Sequence, residues 1–195
     1  VMMTLGVIGI IYGAICATMQ KDLKRLVAYS SVAHLGFIVL GIFVFNDAGL
    51  NGAAIYMVNH GIATAALFLT AGWLIKRTGT ASISQMRGLE KKAPILAGSF
   101  LVAGLAACSL PGLAPFVSEI LVIIGAFDYH WLVGTIAVLA IVLAAIYALW
   151  TYQRVYTGAG ADGEAAEPRE MSDLSRNEIG IVAPLLVAPV VFGFW

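Results

Sequence analysis

The chain has 195 residues, of which 61% are hydrophobic and 11% are charged, with a formal net charge of zero at pH 7. Soluble domains carry about 25% charged and about 45–50% apolar residues, so this composition excludes an ordinary soluble domain and indicates an integral membrane protein. The apolar runs are continuous rather than alternating, which favours membrane-spanning helices over a β-barrel. We therefore predict an all-α fold, a polytopic transmembrane helix bundle.

Six hydrophobic segments are predicted as helices, at residues 2–19, 27–45, 52–75, 94–127, 131–155 and from 177 to the end. The fourth segment is far longer than the roughly 20 residues that one crossing needs. Pro111 and Gly112 interrupt it, and proline and glycine both weaken a helix interior. We predict that this helix is broken at Pro111, a feature that a membrane protein tolerates only where protein or water satisfies the freed backbone groups.

The positive charges are confined to the connections after the first, third and fifth predicted helices. They are Lys21, Lys24, Arg25, Lys76, Arg77, Arg87, Lys91, Lys92, Arg154, Arg169 and Arg176, which are all 11 lysines and arginines of the chain. Successive crossings alternate sides, so these connections share one face, and the positive-inside rule predicts that this face is cytoplasmic. Residues 158–174 read as a solvated acidic linker, and Lys76 and Arg77 as interfacial anchors.

Few ionisable side chains remain at membrane depth: Glu119, His34 and His60. Intramembrane ionisable groups mark ion and proton pathways, and imidazole can accept a proton at one nitrogen while donating from the other. Removal from water favours the neutral form of a carboxyl group, so an acid here could exchange protons. These three residues are the candidate proton-transfer site, with water expected between the two imidazoles. The alternatives are a glutamate that reaches the membrane surface and histidines that only bond a neighbouring helix.

Other kinds of site lack support in the sequence. Cys16 and Cys108 both lie in apolar runs, so no disulfide framework is indicated. No cysteine or histidine pattern of a metal or haem site is present, and no glycine-rich phosphate-binding motif occurs. We therefore expect no metal, no cofactor and no nucleic acid to be bound by this chain.

Three motifs carry a resemblance to a known family. Residues 22–36, D-L-K-R-L-V-A-Y-S-S-V-A-H-L-G, resemble the D-x-K-R-x-x-A-Y-S-S-V-x-H-x-G signature of the antiporter-like proton-pumping subunits of respiratory complex I. Residues 57–61 resemble the next helix of that family, with its histidine before a glycine. Residues 110–119 resemble its broken helix, where an acid such as Glu119, rather than the lysine of the L and N chains, is typical of the M-type chain. Pro115 departs from the small residue expected at its position.

The resemblance implies a domain organisation and a function. The family has two inverted five-helix repeats, so residues 1–157 would form the second repeat, 158–174 a cytoplasmic acidic linker and 175–195 a further, truncated helix. The chain would then be a C-terminal fragment of a proton-translocating subunit of bacterial NADH:quinone oxidoreductase in the inner (plasma) membrane. Glu119 would load protons, with His34 and His60 as relays. FMN and iron–sulfur clusters would lie in partner subunits, and L-type and N-type chains would be its neighbours.

Two other functions stay open from the sequence. A subunit of a multisubunit cation/proton antiporter or of a membrane-bound hydrogenase would share the same fold. Glu119 in place of lysine argues against the antiporter but only weakly against the hydrogenase. A purely structural membrane bundle is the third possibility, although it would give the buried ionisable groups no purpose.

Overall fold

The structure is a computed structural model that describes residues 1–157 and 171–194. Within this part of the chain there are seven α-helices and no β-strand, apart from one isolated β-bridge between Asp22 and Ser82. The helices are α1 (Met2–Thr18), α2 (Leu23–Phe43), α3 (Asp47–Thr78), α4 (Pro94–Ala107), α5 (Ala114–Tyr129), α6 (Trp131–Tyr152) and α7 (Arg176–Gly193). The predicted all-α bundle is therefore confirmed.

The helix break is also present, since the fourth predicted segment is divided into α4 and α5. Among the described residues, four helical stretches are long and apolar enough to cross a membrane by themselves: α2, α3, α7, and α6 together with a π-helical turn that extends it to Thr157. With 32 residues, α3 is about 48 Å long and exceeds the hydrocarbon thickness of about 30 Å. Apolar side chains such as Ile8, Leu139 and Val142 are exposed on the outer surface of the described helices.

Two helices begin earlier than the sequence predicts. α2 begins at Leu23 rather than at residue 27, because the side chain of Asp22 accepts a hydrogen bond of 3.0 Å from the backbone N–H of Arg25. α3 begins at Asp47 rather than at residue 52, because the side chain of Asn46 caps it through the backbone N–H of Gly49 at 2.8 Å. The polar residues that indicated loops or turns are thus helix caps.

Glycines let the first two helices pack closely. A Cβ atom added at Gly36 would lie 2.6 Å from the backbone nitrogen of Ile10, and one at Gly13 would lie 2.6 Å from that of Ala33. Such distances leave no space for a side chain, so the two backbones are in direct contact along this crossing. This contact holds α1 against α2, the helix that carries His34.

The described parts of the connections after α1, α3 and α6 form one layer at the same end of the bundle. The backbone N–H of Leu23 donates to the carbonyl of Ala81 at 2.9 Å, and that of Ile83 donates to the carbonyl of Lys21 at 2.9 Å. The backbone N–H of Glu90 donates to the carbonyl of Tyr156 at 3.2 Å. The basic connections therefore share a face, as the sequence predicts, and the identity of that face as cytoplasmic stays a prediction.

Arg77 and Asp173 fasten α7 to this layer, a role that the sequence analysis did not give them. Arg77 forms an ion pair of 2.6 Å with Glu178 and donates to the carbonyl of Ser172 at 2.8 Å. The carboxylate of Asp173 accepts hydrogen bonds from the first backbone N–H groups of α4, those of Ile95 at 2.8 Å and Leu96 at 3.0 Å. Arg77 is thus more than a membrane anchor. Residues 158–170 of the expected linker lie outside the described residues. Near the end of that linker, Asp173 caps the start of α4.

Candidate functional site

The helix break lies between Ala107 and Ala114 and contains two residues in the left-handed region, Ser109 with φ 55° and Gly112 with φ 94°. Its backbone groups are bonded locally, for example from the N–H of Leu110 to the carbonyl of Leu105 at 3.0 Å. Pro115 falls in the first turn of α5, where a missing N–H group leaves no helical bond unmade. The departure from the family pattern at this residue is therefore compatible with the break.

The predicted acid lies just beyond the break. Glu119 is in the second turn of α5 and is 3% exposed, so it faces the interior of the bundle and not the lipid. The neighbouring Ser118 is fully buried, and Asn59 of α3 donates to its hydroxyl at 3.3 Å and to the carbonyl of Ala114 at 2.8 Å. Polar side chains of α3 therefore fix the start of α5, which positions the carboxyl group of Glu119.

His34 lies at the centre of the bundle between two tyrosine hydroxyls. Its Nδ1 atom is 2.7 Å from the hydroxyl oxygen of Tyr56 on α3, and its Nε2 atom is 3.4 Å from that of Tyr147 on α6. The three side chains are all buried. Since a neutral imidazole has one donor and one acceptor nitrogen, this arrangement can pass a proton from one hydroxyl to the other through the ring.

His60 lies directly beside His34. The two ring centroids are 5.2 Å apart with an interplanar angle of 37°, and the Nδ1 atom of His60 is 3.1 Å from the hydroxyl of Thr64. Water was expected between the two imidazoles, whereas the structure places the two rings side by side. Because α2 and α3 both begin earlier than predicted, both histidines lie near the middle of their helices and meet ring to ring.

The acid and the histidines belong to one group of polar side chains, of which His60 is partly exposed and the others are buried. The carboxyl of Glu119 is close enough to interact electrostatically with the hydroxyls of Tyr56 and Tyr147 and with the thiol of Cys108. Ser109 of the break lies within interaction range of both Glu119 and Tyr56, although its buried hydroxyl has no well-formed hydrogen bond. We call this group the polar cluster; its members are His34, Tyr56, His60, Cys108, Ser109, Glu119 and Tyr147.

The structure thus brings together the three residues that the sequence predicted and adds others. Tyr147 was missed, although it is the one tyrosine in the apolar middle of α6 and could have been singled out on that ground. Tyr56, on the same helix as His60, bonds His34 instead. In the described ranges 1–157 and 171–194 there is no group of three or more His, Cys, Asp or Glu side chains that could hold a metal ion. The chemistry that this arrangement offers is proton exchange.

Comparison with known proteins gives consistent results. A profile of the family described as "NADH:quinone oxidoreductase/Mrp antiporter, TM" matches residues 1–144. NADH-quinone oxidoreductase subunit M of Mycobacterium tuberculosis is 50% identical over 192 residues, which cover 98% of this chain and 34% of that protein. This chain therefore spans about a third of the length of that curated relative.

Two solved structures have the same fold. One chain of respiratory complex I from Thermus thermophilus with bound NADH superposes with a TM-score of 0.89 and 34% identity, covering 98% of this chain and 40% of that one. One chain of the Mrp complex from Dietzia sp. superposes with a TM-score of 0.80, covering 98% of this chain and 43% of that one. The second match has 22% identity and is a likeness of fold alone.

Proposed function

Because the chain belongs to the family of NADH:quinone oxidoreductase and Mrp antiporter transmembrane subunits, we propose that it is part of a proton-translocating membrane subunit of NADH:quinone oxidoreductase. The observation that carries this proposal is the polar cluster, in which Glu119 and two histidines lie inside a membrane bundle beside a broken helix. Membrane transporters build their ion and proton sites from buried ionisable groups and interrupted helices.

In this proposal Glu119 takes up and releases the proton, and His34 and His60 relay it. The hydroxyl of Tyr56, 2.7 Å from His34 and within electrostatic range of Glu119, supports a connection between the acid and the imidazoles. The hydroxyl of Tyr147 is also within electrostatic range of Glu119, and it lies 3.4 Å from His34, a longer distance than that of Tyr56. The route needs no metal or cofactor, because every group in it exchanges protons.

The rest of the assembly follows from the same proposal. The partners are other membrane subunits of complex I, among them L-type and N-type chains, and the redox energy comes from subunits that hold FMN and iron–sulfur clusters. Residues 1–157 act as the second five-helix repeat, followed by the acidic linker and by α7 as a further helix. The protein lies in the plasma membrane of a bacterium, with the connections after α1, α3 and α6 in the cytoplasm.

An alternative function is that of a subunit of a multisubunit cation/proton antiporter or a membrane-bound hydrogenase. This chain shares its fold with a chain of the Mrp complex. Fold alone does not distinguish these functions, so the alternative is retained. The observation against the antiporter is the acid itself, because the resemblance assigns a lysine to this position in antiporters. The proposed function and the antiporter differ in what drives proton movement. In the first it is NADH oxidation, and in the second it is a cation gradient.

The test is the substitution Glu119→Gln in the full-length protein in its native membrane complex. Glutamine keeps the size and polarity of the side chain but cannot exchange a proton, so we expect NADH-driven proton uptake by inverted vesicles to be abolished. Glu119→Asp is the matched control and should retain part of the activity, because it keeps the carboxyl group. NADH oxidation by an artificial acceptor should stay unchanged in both variants and reports an intact complex. Normal proton uptake by the glutamine variant would contradict the proposal.

A further inference from the structure

A cleft of about 510 Å³ opens at the basic end of the bundle, away from the polar cluster. It is bounded by the end of α1, the end of α6 and the short 3₁₀ helix Ile83–Gln85. The polar side chains that line it include Gln20, Lys21, Ser84 and Arg154, and among the lining residues that the structure describes none is acidic. The cleft therefore offers positive charge and hydrogen-bond donors to a ligand.

Neither cation of the cleft is neutralised within the described part of the chain. Lys21 is exposed and forms no ion pair with another described residue. The carboxylate of the adjacent Asp22 caps α2 by accepting a hydrogen bond from the backbone N–H of Arg25. The guanidinium group of Arg154 lies 4.9 Å from the centre of the Trp150 ring. This cation–π contact orients the guanidinium group and leaves its positive charge unneutralised. Two cations held in one cleft without a carboxylate are suited to a phosphate group.

Two apolar stripes lead from the cleft toward the middle of the membrane. Met19 lines the cleft, and Ile15, one turn away on the same face of α1, is 45% exposed. Trp150 also lines the cleft, and Ile146, one turn away on the same face of α6, is 44% exposed. A free inorganic anion would gain nothing from these stripes, whereas the acyl chains of a lipid would cover them.

We propose that this cleft binds an anionic phospholipid, with the headgroup phosphate between Lys21 and Arg154 and the acyl chains along α1 and α6. The location fits this occupant, because the cleft lies where two apolar helices end at the face that collects the basic residues. Basic pockets between membrane helices at such a face bind anionic headgroups. Trp150 lies at the level where interfacial tryptophans contact headgroups.

The experiment uses the full-length protein in its membrane complex, reconstituted with a trace of photoactivatable lipid. Phosphatidylglycerol is compared with phosphatidylcholine carrying the same reactive group, and the labelled peptides are identified by mass spectrometry. We expect phosphatidylglycerol to label the peptides with Lys21 and Trp150 more strongly than phosphatidylcholine does. The double substitution Lys21→Gln and Arg154→Gln should lower this labelling by about tenfold, because each cation near an anionic lipid contributes to its binding.

The double substitution Lys24→Gln and Arg25→Gln is the matched control. It removes the same charge from exposed side chains at the same face but outside the cleft, so the labelling should stay at the level of the unmodified chain. Equal labelling by the two lipids on the unmodified chain would overturn the proposal without any substitution. An equal loss in both double variants would also overturn it, because that result indicates a diffuse surface charge. Loss of the labelling when inorganic phosphate is added before photoactivation would also overturn the proposal, because that result indicates that the cleft binds a soluble anion.

Discussion

The hydrogen bonds of His34 give a prediction that separates its two tyrosine partners. Tyr56→Phe removes the hydroxyl that lies 2.7 Å from Nδ1, and Tyr147→Phe removes the one that lies 3.4 Å from Nε2. Both substitutions keep the aromatic ring and both sites are buried, so the difference between the variants reports the difference between the two bonds.

The distances set the expected magnitudes. A buried hydrogen bond of good geometry contributes about 1 kcal/mol net, and a ring nitrogen left without a partner adds a penalty of about 1–3 kcal/mol. A bond of 3.4 Å is near the outer limit of acceptable length and contributes less. If the proton route depends on a bond worth about 1 kcal/mol, its loss slows transfer about fivefold. We expect Tyr56→Phe to lower NADH-driven proton uptake by about fivefold or more, and Tyr147→Phe to lower it by about twofold.

The assay is proton uptake by inverted vesicles, divided by NADH oxidation with an artificial acceptor to correct for the amount of assembled complex. Tyr129→Phe is the control, because Tyr129 is 55% exposed at the end of α5, about 15 Å along the helix from Glu119. A larger effect of Tyr147→Phe than of Tyr56→Phe would refute the reasoning from bond length. Unchanged uptake in both variants would show that His34 needs neither hydroxyl.

Two further predictions concern the basic face. Asp173→Ala removes the acceptor of two N–H groups at the start of α4 and should destabilise the protein by about 0.5–2 kcal/mol, measured by thermal unfolding; Asp173→Asn keeps one acceptor and should lose less. A cysteine introduced at Lys24 should react with a membrane-impermeant maleimide only in inverted vesicles, and one introduced at Tyr129 only in intact cells, in a background without the native cysteines. Labelling of both from the same side would refute the predicted topology.

Much of this fold could be predicted because the sequence signals were strong and local. Long apolar runs, the segregation of basic residues and the Pro111–Gly112 pair predicted the membrane helices and the division of the fourth. The family resemblance, read from residues 22–36 and 110–119, is confirmed by the profile match to residues 1–144. The errors were at helix starts, where Asp22 and Asn46 can indicate either a turn or a cap, and only the hydrogen bond to a following N–H decides.

The site was harder to predict because its contacts join distant parts of the chain. Burial of Glu119 and His34 followed from their position in apolar helices, whereas His60 is partly exposed. Their mutual geometry depends on the depth at which each helix begins, and a shift of four or five residues moves a side chain by more than one turn. The bond from Asp173 to α4 likewise links residues that only tertiary structure brings together, so composition indicated no more than a solvated acidic stretch.

The helix break explains why Ser109 lies near the acid of the polar cluster. Ser109 and Glu119 are ten residues apart in sequence and would be separated by about 15 Å along an uninterrupted helix, beyond the reach of their side chains. In the structure Ser109 lies within interaction range of Glu119, because the chain leaves helical geometry at Ser109 and Gly112, which are in the left-handed region. Gly112→Ala would place a side chain at φ 94° and should cost about 1–3 kcal/mol. If the break assembles the proton site, this substitution lowers proton uptake by vesicles more than it lowers the yield of assembled complex. A parallel loss of both would mean that Gly112 serves folding alone.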